Sequence, residues 1–192
     1  YCRHQDRVFV MDGDALIMPM ENWKWLLEQI HEKLPWVNRI TCYANLKSIM
    51  LKTDEDLAYL YANGLKAVFL GLESGHAQVR KEIRKGGTPE ELILHCQRLR
   101  ATGIRLVTIV LLGLGQVDLS LDHARETGKA LTAIDPEAVS ALSLMPIPDT
   151  PLGRAFEQGE YKIPDALGMI AELRELVHHT HLTRGAFRSV HA

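Results

Sequence analysis

The sequence predicts an α/β protein in which parallel β-strands alternate with α-helices. Strand-length apolar runs recur at intervals of about 30 residues, which is the usual length of a strand–helix–strand repeat. The segments between the runs carry apolar residues at helical spacing, so helices are predicted to join the strands. Right-handed connections of this kind produce a parallel sheet. They leave two architectures open, a doubly wound sheet or an arc of a (βα) barrel.

Five segments are predicted to be strands because they are short, apolar and rich in Val, Ile or Leu. Each reads as a nearly continuous apolar run, so we expect helices to cover both faces of the sheet. The five segments are residues 7–11, 39–44, 66–72, 105–114 and 138–145.

Five helices are predicted by apolar periodicity and by their end signals. The clearest start is Thr-Pro-Glu-Glu at 88–91, a capping box with proline at the first helical position, and this helix is predicted to end near Gly103. The other helices are predicted from Trp23 to Leu34, from about Leu57 to Gly64, at about 120–133, and from about Pro164 to Thr180.

The composition is that of a globular protein, and we expect a single domain over residues 1–192 with a helical segment at 153–192. The net charge of -2 offers no electrostatic argument for nucleic acid or an anionic membrane surface. No apolar run has the length of a membrane span. Cys2, Cys42 and Cys96 lie far apart without C-x-x-C spacing, so we expect a reduced, cytoplasmic setting.

Ligands of parallel α/β folds bind at the carboxyl ends of the strands, so the residues after each apolar run are the candidates for a site. Four of these ends carry candidate binding residues. They are Asp12, Gly13 and Asp14 after the first run, Glu73 and Ser74 after the third, Gly113 and Gly115 after the fourth, and Met145 with its following prolines after the fifth.

Each of these motifs alone has a structural explanation. Asp12-Gly13 is ordinary turn chemistry, and Glu73-Ser74 is a plausible helix cap. Their combination at one edge of the predicted sheet favours a binding site. Its carboxylates would accept hydrogen bonds from an ammonium group or ribose hydroxyls, or would hold a hard divalent cation.

The motifs at the third, fourth and fifth strand ends resemble those of the radical S-adenosylmethionine (radical SAM) superfamily. The resemblance is to the branch with oxygen-independent coproporphyrinogen oxidase, the methylthiotransferases and the elongator-type barrels. It covers the chain from Arg7 to about Leu152. The motifs are Gly71-Leu72-Glu73-Ser74, Ile83 to Thr88, Thr102-Gly103-Ile104, Gly113-Leu114-Gly115, and the proline-rich stretch 145–152, in which Asp149 replaces the usual glycine.

The resemblance implies a partial (βα)6 TIM-like barrel, of which this chain supplies strands two to six with their helices. It also implies that S-adenosylmethionine binds at the strand ends. Asp12-Gly13-Asp14 would receive the amino group, with Asp14 in the place of the family's glutamate. Glu73 and Ser74 would lie near the ribose and the methionyl carboxylate, Lys85 would suit that carboxylate, and the Gly113–Gly115 turn and Met145 would frame the adenine.

The family's second cofactor is a 4Fe–4S cluster held by three cysteines in a C-x-x-x-C-x-x-C loop, and this motif is absent from the chain. The resemblance implies that the cluster passes an electron to S-adenosylmethionine, and that the resulting 5′-deoxyadenosyl radical abstracts hydrogen from a substrate. We therefore expect a fragment without the first strand, the cluster loop and the first helix, inactive as given and with no metal ligands of its own; the sequence assigns no catalytic residue.

Two other functions stay open from the sequence. Asp12, Asp14 and Glu73 would suit a divalent-metal-dependent barrel enzyme, and a barrel that had lost its cluster would serve as a non-catalytic interaction module. A missing first strand would leave the run at 7–11 as an unpaired edge, so self-association of the chain, or capping of this edge by the terminal segment, is also predicted.

Overall fold

The computed structural model describes residues 5–189. Within this part, helices and strands alternate along the chain. The strands are β1 (Arg7–Val10), β2 (Arg39–Ala44), β3 (Leu65–Glu73), β4 (Arg105–Leu112), β5 (Ala138–Ser143) and β6 (Ala186–Ser189). The helices are α1 (Met20–Lys33), α2 (Leu46–Met50), α3 (Asp54–Ala62), α4 (Ala77–Glu82), α5 (Pro89–Ala101), α6 (Gln116–Ile134), α7 (Pro151–Glu157) and α8 (Ala166–His178), with a short 3-10 helix at Ala15–Ile17.

The strands form one parallel sheet in the order β1-β2-β3-β4-β5-β6, which confirms the predicted α/β class. Val10 pairs with Cys42 across β1 and β2, and Ala138 pairs with Ala186 across β5 and β6. β1 stands at one end of this order, as expected for an edge strand. The self-association inferred from that edge stays a prediction.

Strand β6 corrects two sequence predictions. Five strands were expected, and residues 153–192 were expected to be helical, yet Ala186–Ser189 pairs with β5. The segment escaped prediction because it has only four residues, of which Arg188 and Ser189 are polar and exposed. The short helices α2 and α7 were also not predicted, because five and seven residues are too few to show a helical period.

In β3, β4 and β5, buried side chains largely alternate with half-buried ones, which corrects the expectation that both faces of the sheet are covered. In β3, Leu70 and Leu72 are buried, whereas Phe69 is half-buried. Aromatic side chains fill part of the less buried face, with the ring of Phe9 4.9 Å from that of Tyr43 and 5.4 Å from that of Phe69. Such a strand has an apolar sequence on both faces because the less buried face also carries large apolar side chains. These side chains keep some exposure.

The described residues divide into two compact units. The first comprises the residues up to Gly71 together with Glu90–Thr108, and the second comprises Leu72–Pro89 and the residues from Ile109 onwards. In the first unit, α1 buries Trp23, Leu27 and Ile30, which recur at helical spacing as the sequence predicted.

In the second unit, α6 and α8 pack closely because glycine stands at their contact. A Cβ atom at Gly128 of α6 would lie 2.9 Å from the carbonyl oxygen of Leu176 and 2.8 Å from the Cβ of His179. Leu131 and Leu176 are buried in this unit. Among the described residues, no helix combines the length and the apolar character needed to cross a membrane.

Candidate functional site

The two carboxylates that follow β1 differ in how firmly they are held. Asp12 is exposed, and its Oδ1 accepts a hydrogen bond from the N–H of the adjacent Gly13 at 2.7 Å. Asp14 is half-buried, and its Oδ1 accepts from the N–H of Asn45 at 3.3 Å. A Cβ atom at Gly13 would have no heavy atom within 4 Å, so the space beside it is open. Asp14 is therefore the carboxylate whose position the fold determines.

Asn45, whose N–H contacts Asp14, follows β2 and is the N-cap residue of α2. Its side chain accepts from the N–H of Ser48 at 3.0 Å, while its own N–H is shared between Ser48 Oγ at 3.1 Å and Asp14 Oδ1. A carboxylate has about four acceptor positions, and the hydrogen bond from Asn45 uses one of them. Asp14 therefore keeps hydrogen-bonding capacity for a further donor.

A buried ammonium group lies in the electrostatic surroundings of Asp14. Lys52 is 4% exposed and donates to the carbonyl oxygen of Met18 at 2.8 Å. Burial lowers the pKa of Lys52, and the carboxylates of Asp56 and Asp14 oppose that change. The negative charge of Asp14 is thus partly balanced within the first unit.

At the end of β3, the structure brings together two residues that the sequence predicted. The ammonium nitrogen of Lys85 lies 3.0 Å from Oε1 of Glu73, and both side chains keep partial exposure, 30% and 18%. Glu73 adopts a left-handed backbone conformation with a φ of 60°, which is uncommon for a residue with a side chain. The turn is closed by a hydrogen bond from the N–H of Ser74 to the carbonyl of Leu72 at 2.8 Å.

Arg80 connects the Glu73 turn to the Lys85 turn, and the sequence analysis missed it. Its side chain is 2% exposed, and its guanidinium group donates to five backbone carbonyls. Because these carbonyls flank Glu73 and include that of Lys85, one side chain orients both members of the ion pair. The acceptors are Leu72 at 3.1 Å, Ser74 at 3.0 Å, Lys85 at 3.1 Å, Gly86 at 2.6 Å and Gly87 at 3.2 Å.

Ser74 lies in the interior of the second unit, where neighbouring residues use its hydroxyl group. The residue is 0% exposed, its Oγ accepts from the N–H of His76 at 2.9 Å, and it lies 2.9 Å from Nδ1 of His123. Nε2 of His123 lies 3.1 Å from the carbonyl oxygen of Leu111, which can only accept. We therefore assign the ring proton to Nε2, so that Nδ1 accepts from the serine hydroxyl.

The glycines that follow β4 are required by the packing of the second unit. Gly113 has a φ of 88° and its N–H donates to Oε1 of Glu172 at 2.7 Å. A Cβ atom at Gly115 would lie 2.8 Å from the Cβ of His123 and 2.8 Å from the carbonyl oxygen of Leu119. Glycine at these positions is thus explained by the turn and by α6, and contact with an adenine ring stays a prediction.

Met145, after β5, is 75% exposed. The preceding Leu144 donates its N–H to the carbonyl of Leu112 at 2.9 Å, which anchors the segment at its start. Asp149 has a φ of 65°, a conformation that glycine adopts easily and aspartate tolerates. This conformation explains why glycine is usual at the position of Asp149 in the motif. The aspartate adopts the same conformation and so preserves the turn.

A cavity of about 400 Å³ lies beside Lys85 in the second unit. Its lining runs from Ala77 to Pro89 and includes the side chains of Lys81 and Arg84. Both of these cations are exposed, so the cavity offers positive charge to an anionic group.

Comparison with protein families assigns the chain. The model of the radical SAM superfamily matches residues 3–127, about two thirds of the sequence. The chain belongs to the radical SAM superfamily. This confirms the resemblance on which the site residues were predicted, and S-adenosylmethionine and a 4Fe–4S cluster are the cofactors of that superfamily.

Solved structures show the fold of the radical SAM barrel over most of the chain. Archaeal Elp3 from Methanocaldococcus infernus, with its N-terminus deleted, is 15% identical and has a TM-score of 0.70 over 96% of this chain and 46% of that chain. Coproporphyrinogen III oxidase (HemN) from Escherichia coli, a radical SAM enzyme, is 16% identical with a TM-score of 0.73 over 92% of this chain and 40% of that chain.

A third solved structure extends the likeness to a methyltransferase. The radical SAM enzyme TsrM from Kitasatospora setae, with cobalamin and a [4Fe–4S] cluster bound, is 20% identical with a TM-score of 0.62 over 79% of this chain and 30% of that chain. The chain spans less than half the length of each of these three proteins. No curated protein sequence matches the chain. These likenesses confirm the predicted partial barrel fold.

The thiols of the described residues do not suit an iron–sulfur cluster, which requires thiolate ligands. Cys42 and Cys96 are each 0% exposed, and burial raises the pKa of Cys42 to about 12. Cys2 lies outside the described residues. Within residues 5–189, no group of three or more His, Cys, Asp or Glu side chains is placed to hold a metal ion.

The polar groups of the chain do suit S-adenosylmethionine, which carries an ammonium group, a carboxylate and ribose hydroxyls. Asp14 offers a carboxylate with remaining acceptor capacity, Glu73 offers a second carboxylate, and Lys85 offers an ammonium group with partial exposure. Asp12, Gly13 and Asp14 belong to the first unit, and the other six predicted site residues belong to the second.

Protonation of the buried His123 is expected to destabilise the protein in mild acid. Burial lowers the pKa of His123 from 6.5 to about 4. The folded state therefore binds this proton less tightly than the unfolded state, so the stabilisation is complete above pH 6.5 and is lost as the pH falls toward 4. Between pH 7 and pH 5 we expect the free energy of unfolding to fall by about 2 kcal/mol from this group.

Urea denaturation of the wild type and of His123→Gln at several pH values will test this expectation. Burial raises the pKa of the nearby Glu172, so the contribution of this group to the free energy of unfolding grows as the pH falls. Comparing the two proteins separates the effect of His123 from that of Glu172, because both proteins contain Glu172. Equal pH slopes for both proteins would show that His123 is not responsible.

Proposed function

We propose that this chain is the S-adenosylmethionine-binding part of a radical SAM enzyme that abstracts hydrogen from an organic substrate. The observation that supports the proposal is the Glu73–Lys85 ion pair, with a distance of 3.0 Å and partial exposure of both side chains. The pair lies at the carboxyl end of β3, where ligands of parallel α/β folds bind. Its left-handed turn and the guanidinium of Arg80 hold it in one geometry.

In this proposal, Lys85 binds the methionyl carboxylate and Glu73 accepts hydrogen bonds from the ribose hydroxyls. An ammonium group has three donors, so Lys85 is able to retain Glu73 while it binds a carboxylate. Hydrogen bonds between charged groups are about twice as strong as neutral ones, so Lys85 is expected to contribute strongly to the affinity. Ser74, whose hydroxyl is used internally, acts by holding the turn.

Asp14 accepts hydrogen bonds from the amino group of S-adenosylmethionine in this proposal. The open space beside Gly13 permits a ligand to approach the backbone, and Asp12 supplies a second negative charge. The Gly113–Gly115 turn and the backbone near Met145 contact the adenine. The cofactor carries the radical chemistry, while the residues of the chain bind it, orient it and exclude water from it.

Isothermal titration calorimetry with S-adenosylmethionine tests the proposal on this chain. We expect saturable binding with one site per chain, and we expect Lys85→Ala to weaken it by about 10-fold to 100-fold because a charged hydrogen bond is lost. Lys129→Ala is the matched control, since Lys129 is an exposed lysine of α6 paired with Glu126. Binding of Mg²⁺ or Mn²⁺ without binding of S-adenosylmethionine would contradict the proposal and would favour the divalent-metal enzyme.

A further inference from the structure

A buried polar cluster lies in the second unit, and Ser74 is its one member that the sequence assigned to cofactor binding. Its members besides Ser74 are His123, Glu172 and Ser120, with exposures of 2%, 0% and 7%. Burying a carboxyl group is costly unless hydrogen bonds compensate it, and hydrophobic residues would pack the same space at lower cost. We therefore expect the polar cluster to have a functional role in addition to packing the core.

Glu172 on α8 uses both of its carboxyl oxygens. Oε1 accepts from the backbone N–H of Gly113 at 2.7 Å, and Oε2 accepts from the hydroxyl of Ser120 on α6. Gly113 has a φ of 88° and begins the turn that follows β4. The carboxyl group thus determines the direction of the first peptide unit of that turn.

His123 on α6 holds the segment that follows β3. Its Nδ1 accepts from the hydroxyl of Ser74 at 2.9 Å, and its Nε2 lies 3.1 Å from the carbonyl of Leu111 and 3.5 Å from Oε1 of Glu172. Because burial lowers the pKa of His123, the ring is neutral at pH 7, so its contact with Glu172 is polar but not an ion pair. The imidazole therefore joins the ends of β3 and β4 through one rigid group.

The same three side chain types occur in hydrolases, as a serine, a histidine and a carboxylate. Covalent catalysis by Ser74 is not supported, because the residue is 0% exposed and its hydroxyl is engaged by His76 and His123. A role in positioning is the one that these contacts support.

We propose that Glu172 and His123 are positioning residues, which hold the Gly113–Gly115 turn and the Glu73–Ser74 segment in the conformations that bind S-adenosylmethionine. The inference rests on the proposed function. It extends the cofactor-binding machinery to α8, since Glu172 lies beyond residues 3–127 that match the family. Neither residue touches the cofactor; each acts through the backbone or side chain that it holds.

Two measurements on Glu172 variants test the inference, namely the amide hydrogen exchange rate of Gly113 by NMR and the affinity for S-adenosylmethionine by calorimetry. In the wild type, the Gly113 amide exchanges slowly because a buried carboxyl accepts its hydrogen bond. Glu172→Ala removes this acceptor, and we expect exchange to be at least about tenfold faster and the cofactor to bind about tenfold more weakly. Glu172→Gln keeps an acceptor oxygen and is expected to stay within about threefold of the wild type in both measurements.

Glu175→Ala is the matched control, because Glu175 lies one turn further along α8 and pairs with Arg125 and His179 instead. It should change neither measurement. If Glu172→Ala does not fold, Ser120→Ala serves in its place, since loss of the Ser120 hydroxyl frees only Oε2 and should speed exchange at Gly113 by a smaller factor.

The outcomes separate this inference from the proposed function. A wild type that does not bind S-adenosylmethionine overturns the proposed function. A wild type that binds it while Glu172→Ala binds equally well overturns the positioning role alone. A Gly113 amide that exchanges in the wild type as fast as an exposed amide also overturns the role, and that result needs no variant.

Discussion

Replacing Arg80 with alanine is expected to lower the free energy of unfolding by about 3–5 kcal/mol, the largest effect of any single substitution proposed for the second unit. The guanidinium group donates to five backbone carbonyls and is almost fully buried. Its removal leaves these carbonyls without that donor and opens a cavity among them. Urea denaturation followed by circular dichroism measures the loss.

Arg84→Ala is the appropriate control, because Arg84 is an exposed arginine only four residues away. Its effect on stability should stay within about 0.5 kcal/mol. Arg80→Lys should recover little of the lost stability, since an ammonium group has three donors and lacks the planar geometry of guanidinium. A loss below about 1 kcal/mol for Arg80→Ala would contradict the structural role assigned to this residue.

Replacing Asp14 with alanine or asparagine is expected to weaken binding of S-adenosylmethionine by about 10-fold to 100-fold without unfolding the protein. The carboxylate is half-buried and has one weak internal donor, the shared N–H of Asn45, so little stability depends on it. Asparagine preserves the shape and one acceptor oxygen, and it removes the charge. It therefore tests whether the negative charge is what attracts the amino group.

Calorimetric titrations of both Asp14 variants, each checked by its thermal unfolding midpoint, will measure this effect. Asp6→Ala provides the control, since Asp6 is an exposed aspartate of the first unit. Its Oδ1 lies 3.6 Å from Nε of Arg7. Affinities equal to that of the wild type in both Asp14 variants would remove Asp14 from the binding site. A midpoint lowered by more than about 8 °C would assign Asp14 to stability instead.

Much of the fold is predictable from the sequence because each of the strands β1 to β5 is a distinct apolar run between helical patterns. The strand β6 is not predictable in this way, because Ala186–Ser189 is short and partly polar and its identity depends on pairing with β5. The burial pattern was misread for a related reason. An apolar side chain such as Phe69 looks the same in sequence whether it is buried or half-exposed.

The candidate site likewise contains some residues that the sequence predicted and others that it did not. Asp14, Glu73 and Lys85 were predicted because their positions belong to motifs with a regular spacing in the family. Arg80 was not predicted, because its partners are backbone carbonyls, and backbone groups leave no signature in the side-chain sequence. Glu172 was missed because it accepts a hydrogen bond from the N–H of Gly113, which lies 59 residues earlier in the chain, and no local pattern in the sequence indicates so distant a contact.

The contact between α8 and the Gly113 turn bears on where this protein can be divided for expression. A shortened protein that stops at residue 127, where the match to the family ends, would interrupt α6 seven residues before its last residue, Ile134, and would lack α8 entirely. Gly113 and Ser120 would then lose the acceptor that compensates their burial. The segment that matches the family model is thus shorter than the smallest piece that satisfies its own buried polar groups, and expression boundaries belong beyond His178.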